Sequence, residues 1–214
     1  MWMFVCALLG TLYGMVNFFP GKSALYLKMV TCGVGCQMFS RLFLVIYMLT
    51  QGSMPEGFHI GFLGMAGSFL FFLSGNYGQM DTLVDDGSAA FRKTRLAALF
   101  APLALSGMYV LFFLEAKDMG SRISVGFLSL FLIPCAYYHF KHIIIYDVEL
   151  GFIRQLKAYN ILALFYAFFV MLEYITGSIK IIWLYAASCA GTGLVSLALV
   201  PVLKRGYEKW IREV

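Results

Sequence analysis

Seven stretches of nearly unbroken apolar sequence alternate with short polar segments along this chain, at about residues 2–19, 29–49, 58–77, 96–114, 123–143, 159–176 and 181–203. Each is close to the ~20 apolar residues that a helix needs to cross a bilayer. Polar and apolar positions do not alternate with period two inside these runs, so they predict helices and not barrel strands. The pattern predicts an all-α, polytopic integral membrane bundle of seven transmembrane helices, with residues 1–214 as a single domain. No positive residue precedes the first run after Met1, and no small-residue cleavage pattern follows it. It is therefore expected to be a retained span.

Composition agrees with a lipid environment. Hydrophobic residues make up 61% of the chain and charged residues 13%, and the mean hydropathy is +0.82. A water-soluble domain of this size has too little interior to hide that much apolar surface.

The charges assign an orientation. Twelve of the sixteen Lys and Arg residues fall on one side: Lys22, Lys28, Arg92, Lys93, Arg95, Lys141, Arg154, Lys157, Lys204, Arg205, Lys209 and Arg212. Lys117, Arg122 and Lys180 fall on the other, and Arg41 lies inside a span. The positive-inside rule then predicts an outside N-terminus and a cytoplasmic C-terminus in the cell membrane. Trp2 and Trp183 are placed at the outer interface and Trp210 near the inner one. The net charge of +5 reads as a topology signal directed at membrane lipids, and no nucleic-acid partner is expected.

Packing signals follow. Cys32, Cys36 and Ser40 repeat every four residues in the second run, and Gly61, Gly64 and Gly67 every three in the third. Small stripes let helix backbones approach closely in lipid. Pro102 and Pro134 predict kinks in the fourth and fifth runs. The two longer inner segments, 81–95 and 146–159, match at an offset of 62, with Asp85 on Asp147, Arg92 on Arg154 and Arg95 on Lys157. Inner loops are generally basic, so the match reads as coincidence ahead of duplication. Both segments are candidate contacts for another membrane protein.

Ionisable groups at membrane depth are costly and mark candidate sites. Arg41 lies 13 residues beyond Lys28, and Glu173 lies 13 beyond Asn160, both on outward-running helices. At 1.5 Å per residue both sit about 20 Å from the inner boundary, so they predict an ion pair in the outer half. The pair reads either as a structural bridge or as the polar anchor of a ligand pocket, with Asn76 as a further ligand-binding candidate. At the inner boundary, His139 and His142 are three apart on one helical side, with Asp81 or Asp85 near in depth. Asp81, His139 and His142 are the candidate catalytic set, as an acid–base group. Asp85 or Asp86 reads as a cap for the helix leading to Arg95. No Walker loop, GxSxG, HExxH or CxxC pattern occurs, and neither a metal nor a cofactor is expected.

The length, the basic inner loops and the polar ending of the third run at Gly75-Asn76 resemble the small membrane lysoplasmalogenase-like family. In that family the third span ends in Gly-Asp, and the next span carries a histidine. Here Asn76 replaces the acid, and Ser106-Gly107 stand near the histidine position. The resemblance covers about the first half of the chain, and it implies a membrane-embedded hydrolase of lipid-like substrates. The residues themselves read first as a ligand-sensing, ligand-binding or signalling membrane module. The hydrolase is the alternative, and a small transporter or a structural subunit of a membrane complex also fits the layout.

Overall fold

The structure, a computed structural model, describes residues 1–55, 57–81, 85–145 and 151–213. The described chain is helical, with no strand. Helix α1 spans Trp2–Phe18, α2 Leu25–Gln51 and α3 Ile60–Gly75. A single π-helical turn, Asn76–Met80, widens the end of α3. After a short 3₁₀ turn at Ala89–Phe91 come α4 (Arg92–Ala98), α5 (Phe100–Glu115), α6 (Met119–Ile144), α7 (Phe152–Ile179) and α8 (Ile182–Glu213).

Among the described residues six helical stretches are long and apolar enough to cross a membrane, and α1 is a shorter apolar helix. This is the composition of a multi-pass membrane protein. Large apolar side chains cover the outside, among them Leu103, Leu111, Leu130, Phe165 and Leu194, each at least half exposed. In lipid that surface needs no further cover.

The helices pack as a ring in the order α1, α2, α3, α6, α7, α8 and back to α1, with α5 laid outside against α6 and α7. Short connections make neighbours antiparallel. The basic residues named above therefore gather at one end, here the basic end. Midway along the bundle, Phe69 stacks on Tyr166 at 5.1 Å and Phe72 meets the same ring edge-on at 5.8 Å. All three are fully buried. This aromatic layer separates the two ends.

The two small stripes meet each other. Ser40 Oγ donates to Gly61 O across the α2–α3 contact at 2.7 Å. A Cβ on Gly64 would sit 2.8 Å from Cys36 O. Only glycine allows that approach, which is the packing a small-residue stripe provides.

Two expectations change. The fourth run is two helices, because α4 stops at Ala98 and Leu99 turns with ψ of −13° before α5 begins. Pro102 has no N–H for the carbonyl four residues back, so the ladder breaks there. Helix α6 continues as one helix with Pro134 inside it. Asp85 and Asp86 brace a turn instead of capping α4: Gly87 N donates to Asp85 Oδ1 at 2.9 Å and Ser88 N to Asp86 Oδ1 at 2.8 Å. Asp147, which the offset of 62 pairs with Asp85, lies outside the described residues, as do 82–84 and 146–150 of the two inner segments.

Candidate functional site

Arg41 leaves α2 and Glu173 leaves α7 toward the bundle interior. The guanidinium grips the carboxylate with both terminal nitrogens, Nη1 to Oε1 at 2.7 Å and Nη2 to Oε2 at 2.8 Å. Both side chains are more than nine-tenths buried. Two parallel charge-assisted bonds are the strongest geometry open to this pair. Ionised partners at this depth satisfy each other where water is scarce.

The pair lies in the wall of a cavity of about 380 Å³ at the end opposite the basic loops. Helices α1, α2, α3, α5, α6, α7 and α8 all contribute to its lining. Phe4, Leu44, Phe62 and Phe112 give it a mainly apolar wall, and Asp118 and Ser121 lie toward the start of α6. The volume falls within the range of small-molecule sites. His59, at the start of α3, is packed against Phe62 at 4.5 Å and stacked on Phe43 at 5.5 Å. Two buried nitrogens in this wall have no partner, Arg41 Nε and His59 Nδ1. Arg Nε can only donate, whereas a neutral His Nδ1 can donate or accept. Both atoms lie beneath the surface of the wall, so an acceptor oxygen in the cavity meets the unused donor of Arg41 once the side chains over it shift.

The basic end holds a second polar region. Lys141 near the end of α6 bridges two carboxylates, Asp81 at 2.7 Å and Asp85 at 2.5 Å. His142 Nε2 contacts Asp81 Oδ1 at 3.1 Å. Arg95 binds Asp85 at 2.9 Å and the carbonyls of Gly87 and Ser88 at 3.2 and 2.5 Å. Burial alone raises the Asp81 carboxyl, but hydrogen bonds from His142 and Lys141 outweigh it and hold the group below the usual carboxylate range. Asp85 is held low in the same way by Lys141 and the Gly87 N–H, against a desolvation that pushes it up. This arrangement pins the ends of α3 and α4 onto α6.

The candidate catalytic set is divided by helix geometry. Residues three apart on a helix differ by about 60° in direction. His142 turns to Asp81, whereas His139 turns inward to Asn160 Oδ1 at 2.9 Å and to the Asn76 amide at 2.7 Å. Asn76, read from the sequence as a ligand contact, is fully buried beside His139 and does not line the cavity. Among the described residues no three His, Cys, Asp or Glu side chains converge as metal ligands.

Sequence reasoning passed over His59, Asn160 and the bridging role of Lys141. A histidine between Phe58 and Ile60, at the mouth of an apolar run, was the available signal for the first. Asn160 served only as a depth marker, although an amide opening a span needs a partner.

No protein-family model matches this chain, and no curated protein or solved structure matches it.

Proposed function

We propose that this chain is a ligand-binding module of the cell membrane that takes a small amphipathic molecule into the cavity beside Arg41 and Glu173. One observation carries the reading: a buried, bidentate Arg41–Glu173 pair stands in the wall of an apolar cavity, with Arg41 Nε and His59 Nδ1 buried and unpartnered there. A structural bridge alone needs neither the cavity nor the spare donor. The ligand has an acceptor oxygen, as a carbonyl or carboxylate, and an apolar body. The excess of basic residues at the other end favours an orientation with the N-terminus and the cavity mouth outside. Binding would then be relayed to partners through segments 81–95 and 146–159.

The test is thermal unfolding of the full chain in phosphatidylcholine nanodiscs with methyl decanoate, decanoate or decane. The two carbonyl probes raise the midpoint and decane does not, because only the carbonyl probes satisfy Arg41 Nε. In Arg41→Lys the difference disappears, since an ammonium has no Nε and cannot form the fork. Equal effects of all three probes, or no effect of any, overturn the reading.

The Asp81–His142 contact supports a second reading, a membrane hydrolase of lipid-like substrates with this pair as the general base. Turnover of a lysophospholipid that is lost in Asp81→Asn, with folding intact, would favour it. No turnover by the unmodified chain removes it.

A further inference from the structure

His139 lies near the end of α6, fully buried, and its neighbours decide which ring nitrogen carries the proton. The Asn160 amide nitrogen donates to Leu156 O, one turn back on α7, at 3.2 Å. That orientation leaves Asn160 Oδ1 facing His139 Nδ1 at 2.9 Å. An amide oxygen can only accept, so Nδ1 must be the protonated nitrogen. The other tautomer would set two lone pairs against each other in a dry interior. The Asn76 amide lies 2.7 Å from the same nitrogen. The amide atom built as Asn76 Nδ2 faces the ring and also lies 3.5 Å from Asn160 Oδ1. Nitrogen and oxygen of an amide are assigned by their partners, so with Nδ1 donating to both side chains this atom is assigned as the oxygen and the NH₂ group points away. Nε2 is left as a bare lone pair, buried and bonded to nothing in the protein.

Other unpaired groups stand around it. Tyr159 packs edge-on against the His139 ring, with centroids 5.5 Å apart. It is fully buried, and its hydroxyl also lacks a partner. The atom of the Asn76 amide that faces away from His139 is buried and unpartnered as well. Asn76 opens the π turn that ends α3, a kind of distortion frequent at functional sites. Buried polar groups left open in this way are ordinarily filled by a bound group. A metal is a poor occupant, because His139 brings no second and third ligand with it among the described residues. A cation is also disfavoured, because the groups contacting His139 are neutral and a buried charge without a partner is costly.

We propose that His139 and Tyr159 form a binding site for one O–H group, which donates to His139 Nε2 and accepts from the Tyr159 phenol. Water and the hydroxyl of a membrane lipid carry the same chemistry. This site is separate from the cavity at Arg41 and stands whether or not that cavity binds a ligand.

The test is ¹⁵N NMR of the full chain, labelled at its three histidines, in nanodiscs of a diether phosphatidylcholine that carries no hydroxyl. His59→Gln and His142→Gln assign the His139 signals. The expected spectrum has a protonated Nδ1, and an unprotonated Nε2 displaced from the unbonded position by an accepted hydrogen bond. A cross-peak between Nε2 and water identifies water as the occupant. A displacement that arises only on adding monoolein identifies a lipid hydroxyl. In Tyr159→Phe, Nε2 moves back toward the unbonded position while the Nδ1–H signal persists, a split that loss of folding would not produce. A proton on Nε2, or an undisplaced Nε2 with and without monoolein, overturns the proposal.

Discussion

The two polar regions bury opposite charges in different ways. At the cavity end one cation meets one carboxylate through two matched bonds, and a donor is left over beside open space. At the basic end one lysine is shared by two carboxylates, and each has a further partner, His142 for Asp81 and Arg95 for Asp85. The first is a matched pair with capacity to spare beside a space a molecule can enter. The second uses its charges to hold chain segments together, and its one leftover atom, the buried His142 Nδ1, has no cavity beside it among those described. A buried charge therefore signals a ligand site only when hydrogen-bond capacity and volume are left over together. That criterion separates Arg41 from Lys141, although both are almost fully buried.

The largest effect should come from breaking the matched pair. Glu173→Ala strands the Arg41 guanidinium in the interior and should cost about 3–5 kcal/mol. The double change Arg41→Met with Glu173→Leu removes both charges and should cost far less, because neither desolvation cost remains. Unfolding midpoints of the three proteins in one detergent measure the difference. Equal losses in the single and double variants would mean that water reaches Arg41, and the contrast between the two ends would collapse.

A smaller loss is expected at the basic end. Lys141→Met removes a charged partner from Asp81 and Asp85 but leaves each with another, so about 2 kcal/mol is expected. The same network sets the acid limb of stability. Both carboxyls are held below their ordinary value of 3.8 in the folded protein, so the unfolded chain binds protons more readily. Their contribution is present above that value and is lost as the pH falls through the lower folded values. Unfolding followed between about pH 5 and pH 2 should show this loss, with a flatter limb in Lys141→Met. An unchanged limb in the variant would show that Lys141 does not hold the two groups down.

How far the sequence could be read follows the same physics. The membrane spans were visible because hydrocarbon demands about twenty apolar residues wherever a helix crosses it. Arg41 and Glu173 were paired from depth alone, since residue count converts to height on a helix. The division of His139 from His142 was not visible, because three residues can look like one side of a helix while the two side chains meet different neighbours. Pro102 signalled a disturbance in the fourth run, but not that a helix would end at Ala98 before it. Whether proline ends or only bends a helix depends on the neighbours that take up the freed carbonyl. Lys141 looked like a topology marker because lysine at a helix end usually extends its ammonium into water. Here Asp81 and Asp85 hold that ammonium inside.

The smallest effect sharpens the contrast most. His59 packs between Phe43 and Phe62 by ring contact, and its buried Nδ1 has no protein partner. His59→Phe keeps the ring shape and removes only polar atoms. Stability should therefore stay within about 0.5 kcal/mol of the unmodified chain. If the cavity uses this nitrogen together with Arg41 Nε, the stabilisation by methyl decanoate should fall in the same variant. A probe effect lost without a stability change is the behaviour of a group kept for a ligand. A stability loss of about 2 kcal/mol would instead reveal a structural hydrogen bond, and the cavity end would then resemble the basic end, where the charges serve the fold.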